Sequence, residues 1–536
     1  MIMNFIIKTL LISLIKFYSF MGDYNMRTKN SIINVYVGIL TQIIMVALGF
    51  ISRKVFIDNL GTNYLGVNGL LTSLLTMLGL VEGGIGTSIV YNLYKPLAEK
   101  DEPRIIALVQ LYKKIYFVLA IIIFILSTIM YVFLGDLIKG NTGIKFIGVV
   151  YFIFVVKNVI SYLNAHKWSL INADQKGYVI AKYNLIFNII TTISKIVILY
   201  ITKNYILYLL IDLFIFFMQN IYNGKIVNEK YPYIMTKNKY SVDIDTKNNL
   251  IMNVKALFLH NIGGYCVFGT DNLLISTFIS VKAVGLYSNY TMIIGQLSDL
   301  LTPVLKGIGD SVGHLIATED KNKSYEIFNI TYFINFWIYS FSVIFLYNLL
   351  EPFINWWLGS GLLLDKTTFV VILVNFYLSG LRISVLSFKS RAGIFTNDKY
   401  IPLIESILNL GSSIILVKYF GIAGIFMGTA ISTISLPLWI QSKLVYNKIF
   451  NKSVFVYFKR YILYVLLTLG VGFITTYACN SLVSFNGFLA LILKGIICVI
   501  IPNLIYILIF YKTEEFKYIL NIVNSILFKL KSKILV

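Results

Sequence analysis

The sequence predicts an all-α polytopic membrane protein of about fourteen transmembrane helices, and three observations carry that expectation. Of its 536 residues, 58% are hydrophobic and only 13% charged, with a mean hydropathy of +0.79, whereas soluble domains average about half and about a quarter. Apolar runs of about 20 residues, the length that crosses a hydrocarbon core as a helix, recur from end to end. The basic residues behind the formal charge of +22 sit in short loops between those runs. That placement is the signature of membrane topology rather than of a nucleic-acid-binding face, so no nucleic-acid partner is expected.

In chain order the runs lie near 31–52, 65–92, 115–135, 144–164, 180–201, 204–222, 254–278, 284–309, 327–350, 367–388, 401–420, 421–446, 460–479 and 485–511. An even count puts both termini on one side of the membrane. Alternate loops then hold 31 and 8 Lys plus Arg. The richer class includes both termini and the longest loop, near 223–252, and is assigned to the cytoplasm. Residues 1–25 are apolar but interrupted by Lys8 and Lys16 and precede a second candidate start at Met26. They read as an upstream extension or an interfacial helix rather than a fifteenth span.

Two halves of the chain repeat at an offset of about 220 residues. Leu65-Gly66-Val67 opens a span that meets Gly83-Gly84 and leads to Ala98-Glu99-Lys100-Asp101; Val284-Gly285-Leu286 opens one that meets Pro303 and leads to Ala317-Thr318-Glu319-Asp320. A helix breaker is therefore expected at the same depth in both copies, at Gly83, Gly84 and Pro303. Asn184, Asn188, Thr191 and Thr192 match Glu405, Asn409, Ser412 and Ser413 at an offset of 221, each set on one helical face. Six spans per copy keep the copies in the same orientation, related by a pseudo-twofold axis along the membrane normal, as in transporters built from parallel repeats. The expected organisation is an extension at 1–25, an N-lobe at 26–222, a linker at 223–252 and a C-lobe at 253–450. Two additional spans at 451–511 and a basic cytoplasmic tail at 512–536 follow.

Little in the chain points to bond-making chemistry. No GxxxxGK[ST] phosphate loop occurs, so any uphill work is expected to draw on an ion gradient, the membrane potential or the substrate. Cys266, Cys479 and Cys498 fall in apolar runs and His166, His260 and His314 are scattered, which supports neither a disulfide framework nor a metal site. Asp243-Ile244-Asp245 resembles the DxD of nucleotide-sugar glycosyltransferases, but its loop of about 30 residues is too short for such a domain. Neither catalytic residues nor cofactors are expected, and coupling to H+ or Na+ is left open.

Ionisable residues inside spans cost several kcal/mol unless they meet water or a partner, so each is a functional candidate. The first span carries a stripe of Asn34, Gly38, Gln42, Met45, Gly49 and Arg53, and the seventh carries His260, Gly264 and Asp271; the repeat pairs Ser52 with Asp271. Arg53, Lys157, Lys195, Lys306 and Arg382 together could line a cationic cavity for an anionic, phosphate-bearing substrate. Glu82, Asp271 and Asp299 are candidates for ion coupling or gating. Blander readings stand beside these. Arg53 and Lys54 could snorkel to headgroups, Asp271 and Glu82 could be structural pairs, and Asp299 and Asp310 could simply neutralise Lys306.

The residues from Arg53 to Gly66 (RKVFIDNLGTNYLG), Gly83 to Gly86 (GGIG), Thr270 to Ser276 (TDNLLIS) and Val284 to Ser288 (VGLYS) resemble those of the Wzx-type polysaccharide flippases of the multidrug/oligosaccharidyl-lipid/polysaccharide exporter superfamily. The resemblance covers residues 26 to 511. It implies two six-helix lobes around a central cavity plus two extra helices, with Arg53 and Asp271 facing the cavity. The implied activity is translocation of undecaprenyl-pyrophosphate-linked oligosaccharide across the bacterial plasma membrane by alternating access. Such flippases serve the synthesis of O-antigen, capsule or other exopolysaccharide, with a polymerase and export machinery as partners, membrane lipids around them, and a monomeric state. Few arginines are available for that cavity, which leaves lysines as the weaker contacts for pyrophosphate. An ion-coupled drug exporter of the same fold is the alternative. A membrane polymerase or ligase is disfavoured by the short outer loops.

Overall fold

An apolar segment with no water to bond its peptide groups must bond them within itself, so long apolar runs become helices. Every regular element among the described residues is helical. The computed structural model describes residues 26–521 apart from 140–142, 245, 249, 251, 253–264, 266–268, 319–320, 395–397 and 399, together with Asn524; the side chains of 26–41 and 302–318 also lie outside the described residues. So do the extension expected at 1–25 and the side chains of His260, Gly264 and Lys306.

In chain order the helices are α1 (Met26–Leu60), α2 (Thr62–Leu78), α3 (Ile85–Glu99), α4 (Glu102–Val132), α5 (Ile147–Leu163), α6 (Ala165–Ala173), α7 (Gly177–Thr202) and α8 (Tyr205–Lys230). They continue with α9 (Asp271–Phe278), α10 (Val281–Thr318), α11 (Lys321–Leu358), α12 (Lys366–Arg391), α13 (Ile401–Phe420), α14 (Ile422–Ser435), α15 (Pro437–Val445), α16 (Phe455–Leu482) and α17 (Phe488–Phe510). Among the described residues ten helices are long and apolar enough to cross a membrane, and the pair α5 and α6, bent by 46°, makes an eleventh candidate. Of the other expected spans, 254–278 falls mostly outside the described residues. Those at 31–52 and 284–309 fall in α1 and α10.

The expected breaks differ between the two copies. After α2 the chain makes a 3-10 turn, Gly79–Glu82, and both Gly83 (φ 56°) and Gly84 (φ 81°) take the left-handed conformation before α3 begins. Only glycine enters that region without strain, so two in a row stop a helix. At position 303 the expectation is corrected, because α10 runs unbroken from Val281 to Thr318. A proline inside a helix removes one N–H and crowds one carbonyl, which bends the helix without ending it when the remaining hydrogen bonds persist.

The chain divides into two compact units, one of residues 1–59, 81–129 and 147–256, the other of 60–80, 130–146 and 257–536. This division departs from the expected lobes at 60–80, because α2 packs within the second unit against α10. The reason is a crossing of small residues. A Cβ on Gly66 would lie 1.8 Å from Val281 O, and one on Gly285 would lie 2.2 Å from Thr62 O. Gly66 and Thr62 stand 219 residues before Gly285 and Val281, so each copy offers the same glycine to the same carbonyl of the other. Such glycines let helix backbones touch, which is the main device for helix association in lipid.

In the first unit, Ile89, Leu93, Ile105, Tyr112, Tyr116, Ile123, Tyr162 and Leu170 form a core that also buries Val242 and Leu250 of the linker. The linker is fastened to α4. Gln110 Nε2 donates to Asn238 O (2.7 Å), Tyr240 N donates to Gln110 Oε1 (3.2 Å), and Arg104 Nη2 reaches Asp243 Oδ1 (3.4 Å). Asp243 also accepts from Thr246 N and Thr246 Oγ1, each at 2.8 Å, which makes it a turn cap rather than half of a DxD metal site; Asp245 lies outside the described residues.

In the second unit, α11, α12, α16 and α17 share an aromatic core of Phe328, Tyr332, Phe336, Tyr377, Tyr457, Tyr464, Tyr506 and Phe510. The rings of Phe336 and Tyr464 stack at 4.0 Å, and Trp337 Nε1 donates to Asn503 Oδ1 (2.7 Å). The two helices beyond the repeat are thereby built into this unit. Their outward side chains, Phe473 and Leu508 among them, are more than two-thirds exposed, as lipid contact requires.

Candidate functional site

The polar residues of the first unit assemble along three helices. On α8, Tyr208, Asp212, Phe216, Gln219 and Asn223 follow at spacings of 4, 4, 3 and 4 and share one face. On α7, Asn184, Asn188, Thr191 and Lys195 do the same, and α5 adds Lys157 and Ser161. Their contacts divide the assembly into a charged end and a carboxamide end.

At the charged end, Asp212 lies between two lysines. Lys157 Nζ is 2.5 Å from its Oδ2 and Lys195 Nζ is 3.6 Å from its Oδ1. The Lys195 ammonium also rests 4.4 Å from the Tyr208 ring centroid, a cation–π contact. Tyr208 packs edge-on against Phe56 (5.3 Å) of α1, and Arg53, one turn earlier on α1, acts electrostatically on Tyr208. Two of the expected cations, Lys157 and Lys195, thus share one carboxylate, and Arg53 acts on the tyrosine beside them. The side chains of Asp212 and Lys195 are only 14% and 20% exposed, so the excess positive charge is held where water screens it poorly.

At the carboxamide end, Asn184 Oδ1 accepts from Gln219 Nε2 (2.7 Å) and Asn223 Nδ2 (2.6 Å). Asn220 Oδ1 accepts from Asn164 Nδ2 (2.6 Å). Phe216 joins the two ends, since its ring centroid is 5.3 Å from Lys157 Nζ.

The remaining candidates lie elsewhere. Glu82, at the end of the 3-10 turn, accepts from the Tyr116 hydroxyl (3.2 Å). A Cβ on Gly86 would lie 2.9 Å from its Oε1, and glycine there makes room for the carboxylate. Asp271 opens α9 and accepts from Tyr287 (3.4 Å), and the neighbouring Asn272 donates to Ser73 Oγ of α2 (2.9 Å). Asp299 is exposed on α10. Arg382 is not a cavity cation. It is buried and donates to Glu405 Oε1 and Gln441 Oε1, both at 3.1 Å, and a guanidinium whose charge is already matched has no call on an outside anion. Among the described residues no group of three or more His, Cys, Asp or Glu side chains is placed to hold a metal ion.

Sequence reasoning passed over Asp212, Tyr208, Gln219 and Asn223. Asp212 carried a legible signal, being an acid inside the apolar run 204–222, and the rule that flagged Lys195 applies to it equally. The α8 stripe is legible only with the helical face in hand.

This is a multi-pass helical membrane protein whose described residues concentrate cations and carboxamides inside its spans. Neither a family model nor a curated protein sequence matches the chain. Among solved structures it is similar to the lipid II flippase MurJ in an inward closed conformation, with TM-score 0.61 and 15% identity over 88% of this chain and 99% of that one. An inward-facing multidrug resistance MATE family transporter of the MOP superfamily gives TM-score 0.58 and 13% identity over 76% and 98%. A MATE protein in complex with MaD3S gives 0.52 and 13% over 78% and 96%. At these identities the likeness is one of fold alone: the chain shares the helical fold of these solved structures.

Proposed function

We propose that this protein is a flippase that translocates undecaprenyl-pyrophosphate-linked oligosaccharide across the bacterial plasma membrane by alternating access, for surface polysaccharide synthesis. The observation that carries the reading is the pairing of two lysines, Lys157 and Lys195, with the carboxylate of Asp212, beside a Tyr208 on which Arg53 also acts. A cluster with excess positive charge inside a bilayer is costly until an anion joins it, and a pyrophosphate is an anion that lysines bind as point charges. The fold it shares with a lipid II flippase supports the same substrate class, and the distribution of Lys and Arg supports cytoplasmic termini.

The test is a deletion strain complemented with Arg53→Ala, Lys195→Ala or the wild type, with surface polysaccharide measured at equal membrane expression. The expected result is loss of polysaccharide on deletion and a loss of at least about tenfold in each variant, the scale of one charge-assisted contact. Unchanged export in both variants would remove the cluster from the pathway.

A second reading, an ion-coupled multidrug exporter, is favoured by the similarity to MATE transporters and by Glu82 and Asp271 as carriers of H+ or Na+. It predicts drug sensitivity with normal polysaccharide on deletion.

A further inference from the structure

The carboxamide end of the α8 stripe borders a cavity of about 370 Å³ within the first unit, whose lining includes Ser161, Trp168, Asn184, Phe216, Gln219 and Asn223. None of its lining residues is charged. Its polar wall is fixed from within, because Asn184 Oδ1 is held by Gln219 and Asn223. Each carboxamide keeps a second hydrogen-bonding group beyond that contact, a donor on Asn184 and an acceptor on Gln219. Asn223 is 4% exposed, and its Oδ1 is buried with no hydrogen-bond partner among the described residues. A buried acceptor left unsatisfied is a cost, and a ligand's donor removes it if the Asn223 side chain turns its Oδ1 into the cavity.

The cavity's origin is visible in the repeat. Ser161, Asn184 and Gln219 stand 221, 221 and 222 residues before Arg382, Glu405 and Gln441. In the second unit the repeat has an arginine at the position that serine holds here.

We infer that this cavity is a carbohydrate subsite that takes the single neutral, acetamido-bearing sugar ring to which the diphosphate is attached. The inference rests on the flippase reading and adds to it. Neutral carboxamides match hydroxyl and acetamido groups, and Trp168 and Phe216 offer flat apolar faces to a sugar's C–H side. Phe216 places the cavity beside Lys157, and Gln219 lies seven residues from Asp212, about 10 Å along the axis. The volume falls at the small end of the roughly 300–1,000 Å³ of small-molecule sites, which suits one ring rather than an oligosaccharide.

The experiment uses the full chain in lipid nanodiscs, with N-acetylglucosamine 1-phosphate and inorganic phosphate as calorimetric probes. The sugar phosphate is expected to bind the wild type at least about tenfold more tightly than phosphate. In Asn223→Leu, and in the double variant Ser161→Arg with Asn184→Glu that copies the second unit, the sugar phosphate falls to the level of phosphate while phosphate binding is unchanged. Equal binding of the two probes to the wild type overturns the inference and needs no variant to fold. So does an Asn223→Leu protein that melts like the wild type and keeps the tenfold difference. If the difference and its loss are seen but a deletion strain keeps its polysaccharide, the sugar site stands and the flippase reading falls. If the strain loses its polysaccharide and no difference is seen, the reading stands and the subsite falls.

Discussion

Ser161, Asn184 and Gln219 in one unit and Arg382, Glu405 and Gln441 in the other hold matching places in an internal repeat, yet they treat polarity in opposite ways. The second set is charged and closed: Arg382 is shared between Glu405 and Gln441, and Thr433 adds a 3.5 Å contact to the same Glu405 oxygen. The first set is neutral and open, with carboxamides that hold one another and border a cavity. A copied helix trio thus forms a charged clamp in one unit and a neutral cavity wall in the other, with different residues at two of the three positions.

The largest effect that tests this contrast is expected at the clamp. Glu405→Ala leaves the Arg382 guanidinium buried without its carboxylate, and a loss of about 3–5 kcal/mol is expected in thermal melting of the purified protein. Replacing both partners with Arg382→Met and Glu405→Leu should recover most of it. A double variant as unstable as the single one would break the view of the pair as a closed unit.

A smaller effect, about 1–3 kcal/mol from overpacking, is expected for Gly66→Ala, whose new methyl group would meet Val281 O at 1.8 Å. Here the two copies remain alike, so Gly285→Ala should cost about as much in the same melting assay. A large inequality would show that the crossing of α2 and α10 is symmetric in backbone only.

At the open set, Asn184→Ala removes one acceptor from Gln219 and Asn223 beside a cavity that admits water, and about 1 kcal/mol is expected. The contrast is sharpened if that melting change is far below that of Glu405→Ala while sugar phosphate binding is lost.

The smallest effect concerns the linker. The N–H and hydroxyl of Thr246 hold the Asp243 carboxyl below its ordinary value of 3.8, with Arg104 adding to the effect. The ionised form therefore favours the fastened loop. That contribution is complete above the ordinary value and disappears as pH falls through the lowered one. Hydrogen exchange at 236–250, taken relative to the intrinsic rate at each pH, should rise on acidification below about pH 4, and Asp243→Asn should remove the rise. An unchanged rise in that variant would assign it to another group.

Much of the fold was legible from local pattern. Runs such as 102–132 and 488–510 are apolar throughout and could only be helices in lipid, and the cations Lys157 and Lys195 stood out because they interrupt such runs. The site was legible in part. Its cations were, but Asp212 between them was overlooked, and Gln219 and Asn223 gave no signal, since an amide near a helix end is ordinary. Arg382 was misread because a cation in a span looks the same whether it faces a ligand or a glutamate 23 residues away. Pro303 was misread because proline's effect depends on whether the remaining hydrogen bonds of its helix persist.

By itself, the sequence determined residence in a membrane, helical architecture and internal duplication. Each follows from composition and spacing, which act along the chain and need no knowledge of what lies across from it. The tertiary structure decided which intramembrane charges are matched, where a glycine pair lets α2 meet α10, and that the first unit keeps a cavity where the second has an arginine. Those are questions of which side chain stands opposite which, and in a low dielectric that pairing decides whether a charge is matched.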